Sequence, residues 1–198
     1  MQRLTNLETL FLESLPHMRC LWKGLVLSKL ITLNVVKCKR LTHVFTCSMI
    51  VSLVQLKVLK INLHSLCFPD LCEIEIRECN KLESLFPVAM ASGLPKLQTL
   101  RVSESSQLLG VFGQDDRASP VNVEKEMMLP NLIVLSLEQL SSIVCFSFGC
   151  CDFLFPCLER LKVHQCPKLS TKFATTPDGS MSTQSEVLLI WLYFLPLF

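Results

Sequence analysis

The stretch LPKLQTLRVSESSQLLGVF, which runs from Leu94 to Phe112, carries the spacing from which the fold of this 198-residue chain can be predicted. Its apolar residues follow one another at intervals of three, three, two, six and three: Leu94, Leu97, Leu100, Val102, Leu108 and Val111. Neither an α-helix, with a period of about 3.6, nor a simply alternating strand has this spacing. The two-residue step from Leu100 to Val102 predicts a short strand, and the three-residue steps predict tight turns around it. One such coil cannot bury its own apolar face, so the pattern predicts that the chain repeats it.

The same spacing recurs along the chain, in LSKLITLNVVKCKRLTHVF (27–45), FPDLCEIEIRECNKLESLF (68–86) and FPCLERLKVHQCPKL (155–169). The residues equivalent to Leu100 are Leu10, Leu33, Leu59, Ile74, Leu135 and Leu161, and the seven positions are separated by 23, 26, 15, 26, 35 and 26 residues. A recurring value of 26 is typical of leucine-rich repeats. We therefore predict an α/β fold, a horseshoe-shaped leucine-rich-repeat solenoid. Its parallel β-sheet would line the concave face, and its convex side would be irregular or carry short helices.

The domain boundaries follow from where the pattern holds. About seven repeats occupy residues 1–173, with one shortened near 59–74, where the 15-residue interval is too short for a full coil. Either that coil is abbreviated or a segment has been lost between Ile61 and Phe68, and the regular pattern from Phe68 to Phe86 favours a loss. The polar stretch 113–128 accounts for the 35-residue interval and is predicted to be a surface loop. Residues 88–92 could form one helical turn on the outer side.

Residues 174–198 are predicted to be a flexible tail with an anomalous apolar end, VLLIWLYFLPLF (187–198). Twelve apolar residues are fewer than the roughly 20 that a membrane-spanning helix needs, so no transmembrane span is expected. An altered gene end, a packed end-cap and a contact with a membrane surface all remain open for this segment.

The chain contains eleven cysteines, and their positions favour buried free thiols over disulfides or a metal site. Cys38, Cys79 and Cys166 each lie five residues after the aligned leucine, where a small side chain points inward. The others include no CxxC pair, and the loose group between Cys145 and Cys166 lacks the spacing of metal ligands. Unpaired thiols, the absence of Asn-x-Ser/Thr sequences and the absence of a signal-peptide pattern favour a cytoplasmic protein.

Composition and motifs argue against several classes of function. The net charge of +2 is small and scattered, so nucleic acid is not the expected partner. The four histidines are spread over four separate places and none belongs to an HExxH motif. No glycine-rich phosphate-binding loop is present. We expect no enzymatic activity, no catalytic residue, no metal and no cofactor.

The predicted strands present alternate residues to solvent, because leucines of an xLxLx strand face the core. These outward residues differ from repeat to repeat and change sign along the sheet, which suits a protein partner. The candidate protein-binding residues on the concave face are Asn34, Lys60, Glu73, Glu75, Arg77, Arg101, Ser136, Arg160, Lys162 and His164.

The recurring frame LxxLxxLxLxxCxxL, the ending LESLF and the sequence Cys-Pro-Lys-Leu at 166–169 carry a family resemblance over about residues 4–173. The chain resembles the C-terminal leucine-rich-repeat region of plant intracellular nucleotide-binding disease-resistance proteins of the coiled-coil type. The resemblance implies a recognition module that senses a pathogen effector or an effector-modified host protein and contacts the receptor's nucleotide-binding module. ADP or ATP would bind that module, whose motifs this sequence lacks.

Three other classes of protein share parts of this pattern. A substrate-adaptor arm of F-box type would carry an F-box, and the sequence contains none. The missing glycosylation sequences and the unpaired cysteines argue against a secreted or cell-surface receptor arm. A truncated gene product without a function of its own remains an alternative.

Overall fold

The computed structural model describes residues 6–19, 29–44, 68, 70–87, 94–113, 126–148, 152–174 and 186–190, with backbone alone at 126, 127, 152, 172, 174 and 186–190. These residues form thirteen short strands and no helix. The strands are β1 (Thr9–Glu13), β2 (Thr32–Val36), β3 (Glu73–Arg77), β4 (Ser84–Pro87), β5 (Thr99–Ser103), β6 (Gly110–Gly113), β7 (Glu126–Met128), β8 (Val134–Glu138), β9 (Cys145–Ser147), β10 (Asp152–Leu154), β11 (Arg160–His164), β12 (Lys172–Ala174) and β13 (Glu186–Ile190).

Seven of these strands form one parallel sheet in the order β1-β2-β3-β5-β8-β11-β13. Its register joins the residues that mark the repeats in the sequence, since Leu33 is the partner of both Leu10 and Ile74. The same row continues through Leu100, Leu135 and Leu161. Successive coils are therefore stacked in one direction, and the predicted parallel sheet of repeats is confirmed.

The coil predicted around Leu59 lies outside the described residues. β2 pairs with β3 along its whole length, from Thr32 with Glu73 to Val36 with Arg77. The sheet thus has no strand between these two, and its register connects residues 41 positions apart in the chain, Leu33 and Ile74.

The core lies behind the seven-stranded sheet and contains the second and fourth residues of β2, β3, β5, β8 and β11. Leu100 and Val102 have exposed fractions of 0% and 1%. Leucines of the flanking turns, such as Leu97 and Leu108, extend the same cluster. Full burial of one such side chain contributes about 1.5–3 kcal/mol to folding, so the repeated pattern supplies the main stabilisation of each coil.

The coil endings form a second parallel sheet, in the order β4-β6-β9. Phe86 is the register partner of Phe112, and their ring centroids lie 5.2 Å apart. The Phe112 and Phe146 rings follow at 5.7 Å, so the aromatic residue that closes each coil packs on the next. The rings of Phe153, Phe155 and Phe173 all contact the ring of Phe146.

The structure differs from the sequence-based prediction in two stretches. Residues 126–128, the end of the predicted loop 113–128, form β7, which pairs with β10 in a third sheet of order β12-β10-β7. Residues 186–190, within the predicted flexible tail 174–198, form β13, which pairs with β11. Both segments supply hydrogen-bond partners to an edge that would otherwise expose unpaired backbone groups. Residues 114–125, 175–185 and 191–198 lie outside the described residues.

The helical part of the predicted α/β class has no counterpart in the described residues, because the described ranges contain strands and turns alone. The predicted helical turn at 88–92 lies outside those ranges. The horseshoe curvature of the solenoid remains a prediction.

Candidate functional site

The first, third and fifth residues of the stacked strands point away from the core and form one surface, here called the sheet face. The burial of β2, β3 and β5 alternates along each strand, which assigns the even positions to the core. The sheet face consists of Thr9, Phe11, Glu13, Thr32, Asn34, Val36, Glu73, Glu75, Arg77, Thr99, Arg101, Ser103, Val134, Ser136, Glu138, Arg160, Lys162 and His164.

The central row of the sheet face crosses six strands and changes chemical character at every step. In register order its residues are Phe11, Asn34, Glu75, Arg101, Ser136 and Lys162. Neighbouring strands lie about 4.8 Å apart, so these side chains are close enough to interact with their neighbours.

Ion pairs connect the coils around Arg101. Its Nη1 lies 2.9 Å from Oε1 of Glu73, which belongs to the preceding strand. In the same half of the face, Asn34 Nδ2 donates a hydrogen bond of 3.3 Å to Oε2 of Glu75. Arg77 is held at the strand end, with Nη2 3.0 Å from Oε1 of Glu104. These pairs are partly exposed, so each contributes about 0–1 kcal/mol to stability and mainly orients the side chains.

A second polar group surrounds Glu138. Lys162 Nζ lies 2.7 Å from Oε2 of Glu138, and the Ser136 hydroxyl donates a hydrogen bond of 2.7 Å to Oε1. Partial burial of Glu138 opposes ionisation, but the hydrogen bonds from Lys162 and Ser136 and the charge of Lys162 outweigh it. The pKa of the Glu138 carboxyl is therefore lower than its usual value.

The described residues place nine of the ten candidates on one surface. These are Asn34, Glu73, Glu75, Arg77, Arg101, Ser136, Arg160, Lys162 and His164. Lys60 lies outside the described residues. Ser136 is exposed by only 7%, because a short side chain stands there between the long side chains of Arg101 and Lys162.

Three residues with an evident role in the geometry, Phe11, Glu104 and Glu138, were not among the candidates. Glu138 anchors Lys162, and Phe11 is the most exposed large apolar side chain among the described residues, at 56%. The alternation of the strand pattern places both on the sheet face, and that signal could have identified them. Glu104 follows β5 instead of lying within it, so alternation could not have found it.

The cysteine column inside the coils has the predicted character. Cys38, Cys79 and Cys166 are buried free thiols. The thiol of Cys166 donates to the carbonyls of Leu137 and His164, at 3.4 and 3.5 Å. Burial raises the pKa of Cys79 to about 11 and raises the pKa of Cys166. Since the thiolate is the reactive form, these side chains serve packing and turn geometry.

Two further features bear on the class of site. Within the described ranges, no three His, Cys, Asp or Glu side chains lie close enough together to hold a metal ion. The same ranges include no helix that is long and apolar enough to cross a bilayer.

Comparison with known proteins identifies the family. The family model of the leucine-rich repeats of RPS2-like plant disease resistance proteins matches residues 1–65 and 62–106, which together are more than half of the 198 residues. No curated protein and no solved structure matches the chain. The register of the seven-stranded sheet continues the same repeat beyond residue 106, through β8 and β11. The chain therefore belongs to the leucine-rich-repeat family of RPS2-like plant disease resistance proteins.

Proposed function

We propose that this chain is the protein-recognition module of an intracellular plant immune receptor, and that its sheet face binds a pathogen effector or a host protein that an effector has modified. Membership in the family implies a recognition module in plant immunity. The cytoplasmic location, the identity of the partner and the use of the sheet face are the parts that we propose.

The contrast between the two sides of one sheet carries the proposal. The inward row repeats nearly the same residue at each level, as in Leu33, Ile74 and Leu100. The adjacent outward row presents an amide, a carboxylate and a guanidinium at Asn34, Glu75 and Arg101. The inner row is uniform because its side chains must fill the same space in the core at every coil. The outer row faces away from the core, so core packing does not explain which residues occupy it. A continuous surface with varied charge is suited to recognising one protein among many.

The proposed activity is binding without chemistry of its own. Charged side chains on the sheet face would orient the partner and increase its rate of association. In an intact receptor the nucleotide-binding module would be a second partner, and ADP or ATP would be bound there.

Binding of the full chain to a panel of purified pathogen effectors, and of host proteins treated with those effectors, tests the proposal by surface plasmon resonance. Charge reversal by Arg101→Glu or Lys162→Glu should weaken the best binder at least tenfold. Lys168→Glu is the matched control, because Lys168 is exposed in a turn away from the sheet face. Equal affinities for all three variants, or no binder in the panel, would contradict the proposal.

A further inference from the structure

The β1–β3 end of the sheet face combines an exposed aromatic ring with carboxylates. Phe11, Asn34 and Glu75 are consecutive register partners in the central row. Glu13, on the same strand as Phe11, is the partner of Val36. These five residues are here called the acidic–aromatic patch. Phe11 and Glu13 are exposed, and Asn34, Val36 and Glu75 are partly exposed.

The two carboxylates of the patch carry negative charge that the described residues do not neutralise. Neither Glu13 nor Glu75 forms an ion pair with a described cation. The nearest arginines in register are engaged elsewhere, since Arg101 pairs with Glu73 and Arg77 with Glu104. The patch therefore combines two carboxylates with an exposed aromatic ring, and the paired arginines Arg77 and Arg101 lie on its β5 side.

Asn34 orients the central carboxylate without neutralising it. Its Nδ2 donates to Oε2 of Glu75 at 3.3 Å, while its own Oδ1 is buried and accepts no hydrogen bond. A single long hydrogen bond from an amide leaves Glu75 with capacity for stronger, charge-assisted hydrogen bonds.

From this arrangement we infer that the acidic–aromatic patch binds a basic, apolar segment of the partner protein. Lysine or arginine side chains of the segment pair with Glu13 and Glu75, and an apolar side chain packs on Phe11. The inference rests on the proposed function and specifies the chemistry of the partner.

Strand spacing sets the dimensions of this segment. Phe11 and Glu75 are two strand spacings apart, or about 9.6 Å. An extended chain covers that distance in about three residues, so the apolar and basic side chains of the partner are about three residues apart.

A random library of 12-residue peptides displayed on phage, selected on the full chain, tests the inference. Enriched peptides should be basic and apolar. Their synthetic versions should bind the wild-type chain at least tenfold more tightly than the Glu13→Gln/Glu75→Gln variant, and also more tightly than the Phe11→Ala variant, by fluorescence anisotropy. Glu159→Gln is the matched control, because Glu159 is exposed and lies outside the sheet face, and it should leave the affinity unchanged. Circular dichroism checks that every variant keeps its fold.

The outcomes separate this inference from the proposed function. Enriched peptides that are acidic, or that bind the double variant as well as the wild type, would overturn the inference. If those peptides lose affinity with Arg101→Glu, the sheet face still binds protein and only the patch assignment fails. No enrichment at all would count against both.

Discussion

At the scale of single residues, the turn that follows each of the strands β1, β2, β3, β5, β8 and β11 is built on a left-handed backbone conformation. The residues at this position are Ser14, Lys37, Glu78, Glu104, Gln139 and Gln165, with φ between 51° and 57°. Each of the first five donates its N–H to the last carbonyl of the next strand, as Gln139 does to His164 at 2.8 Å. The conformation costs about 1–2 kcal/mol in a residue other than glycine. The hydrogen bond between coils partly offsets that cost.

Replacing one of these residues by glycine should stabilise the protein. Gln139 is exposed and has φ of 54°, so Gln139→Gly relieves steric strain without removing a packed side chain. We expect the free energy of unfolding to rise by up to about 1 kcal/mol, less than the full strain, because glycine also loses more entropy on folding. Urea denaturation measures the change.

Gln98→Gly is the matched control for that prediction, because Gln98 is also an exposed glutamine but has no positive φ. This change should lower the free energy of unfolding by about 0.5–1 kcal/mol. Equal destabilisation by both variants would show that strain at Gln139 does not limit stability.

The contacts of Glu138 predict a specific pH dependence. Partial burial opposes ionisation of this carboxyl, but its contacts with Lys162 and Ser136 outweigh burial and lower its pKa in the folded chain. At a pH above the pKa of the unfolded chain, the ionised carboxylate therefore stabilises the fold. That contribution is lost as the pH falls through the lowered folded-state pKa. Between pH 7 and pH 3 the wild type should therefore lose up to about 1 kcal/mol more stability than Glu138→Gln.

Chemical denaturation at the two pH values tests the Glu138 prediction. Glu159→Gln serves as the control, because Glu159 is exposed and forms no ion pair with a described residue. A pH dependence that is the same in Glu138→Gln and in the wild type would rule out the proposed stabilisation.

At the scale of elements, the second sheet depends on a close approach between β4 and β6. A Cβ atom built on Gly113 would contact the Ser84 hydroxyl and lie 2.7 Å from Ser84 Cβ. Such a contact is far shorter than van der Waals distance, so one of the strands would have to move. The absence of a side chain at Gly113 thus permits the register in which Pro87 pairs with it.

Gly113→Ala should therefore destabilise the protein by about 1–3 kcal/mol, the range typical of overpacking. In a Ser84→Gly background the new methyl group has room, and the penalty should largely disappear. Thermal denaturation of the four proteins in this double-mutant cycle measures the coupling. Additive effects would contradict the steric explanation.

The elements show what the sequence could predict. The strands around Leu33, Ile74 and Leu100 were predictable because each coil must bury the same inward residues, and this demand leaves a periodic pattern. β7 could not be predicted, because residues 113–128 are mostly polar and lack the apolar spacing of a repeat. Its pairing with β10 is made through backbone groups, which leave no pattern in the side chains. β13 did leave a signal, because Val187, the partner of Leu161, follows it by 26 residues.

The candidate site was predictable to a similar degree and for a related reason. Alternation along a strand determines which side of the sheet a residue occupies, so Arg101 and Lys162 could be assigned to the sheet face. It does not determine which charges are already paired within the protein. That Arg101 is bound to Glu73 while Glu75 has only an amide partner follows from the register and the side-chain conformations.

At the scale of the whole molecule, stability should vary along the stack, because each coil is covered by its neighbours. The inward leucines of inner strands, such as Leu33 and Leu100, have exposed fractions of 0%. Leu10 and Leu12 of the edge strand β1 are only partly buried. The folding free energy of a solenoid is approximately a sum of terms for each coil and terms for each pair of neighbouring coils. A coil that packs against a neighbour on one side only is therefore destabilised less when one of its inward side chains is truncated.

The same substitution in one register row should therefore have unequal effects. Leu100→Ala removes a fully buried side chain between two covered coils and should cost about 3 kcal/mol or more. Leu10→Ala, at the equivalent position of the edge strand, should cost about 1 kcal/mol, because much of its surface is already in contact with water. Urea denaturation of the two variants gives the comparison, and Leu33→Ala should resemble Leu100→Ala. Equal costs at Leu10 and Leu100 would mean that the edge coil is covered as completely as the centre, and the nearest-neighbour description would fail.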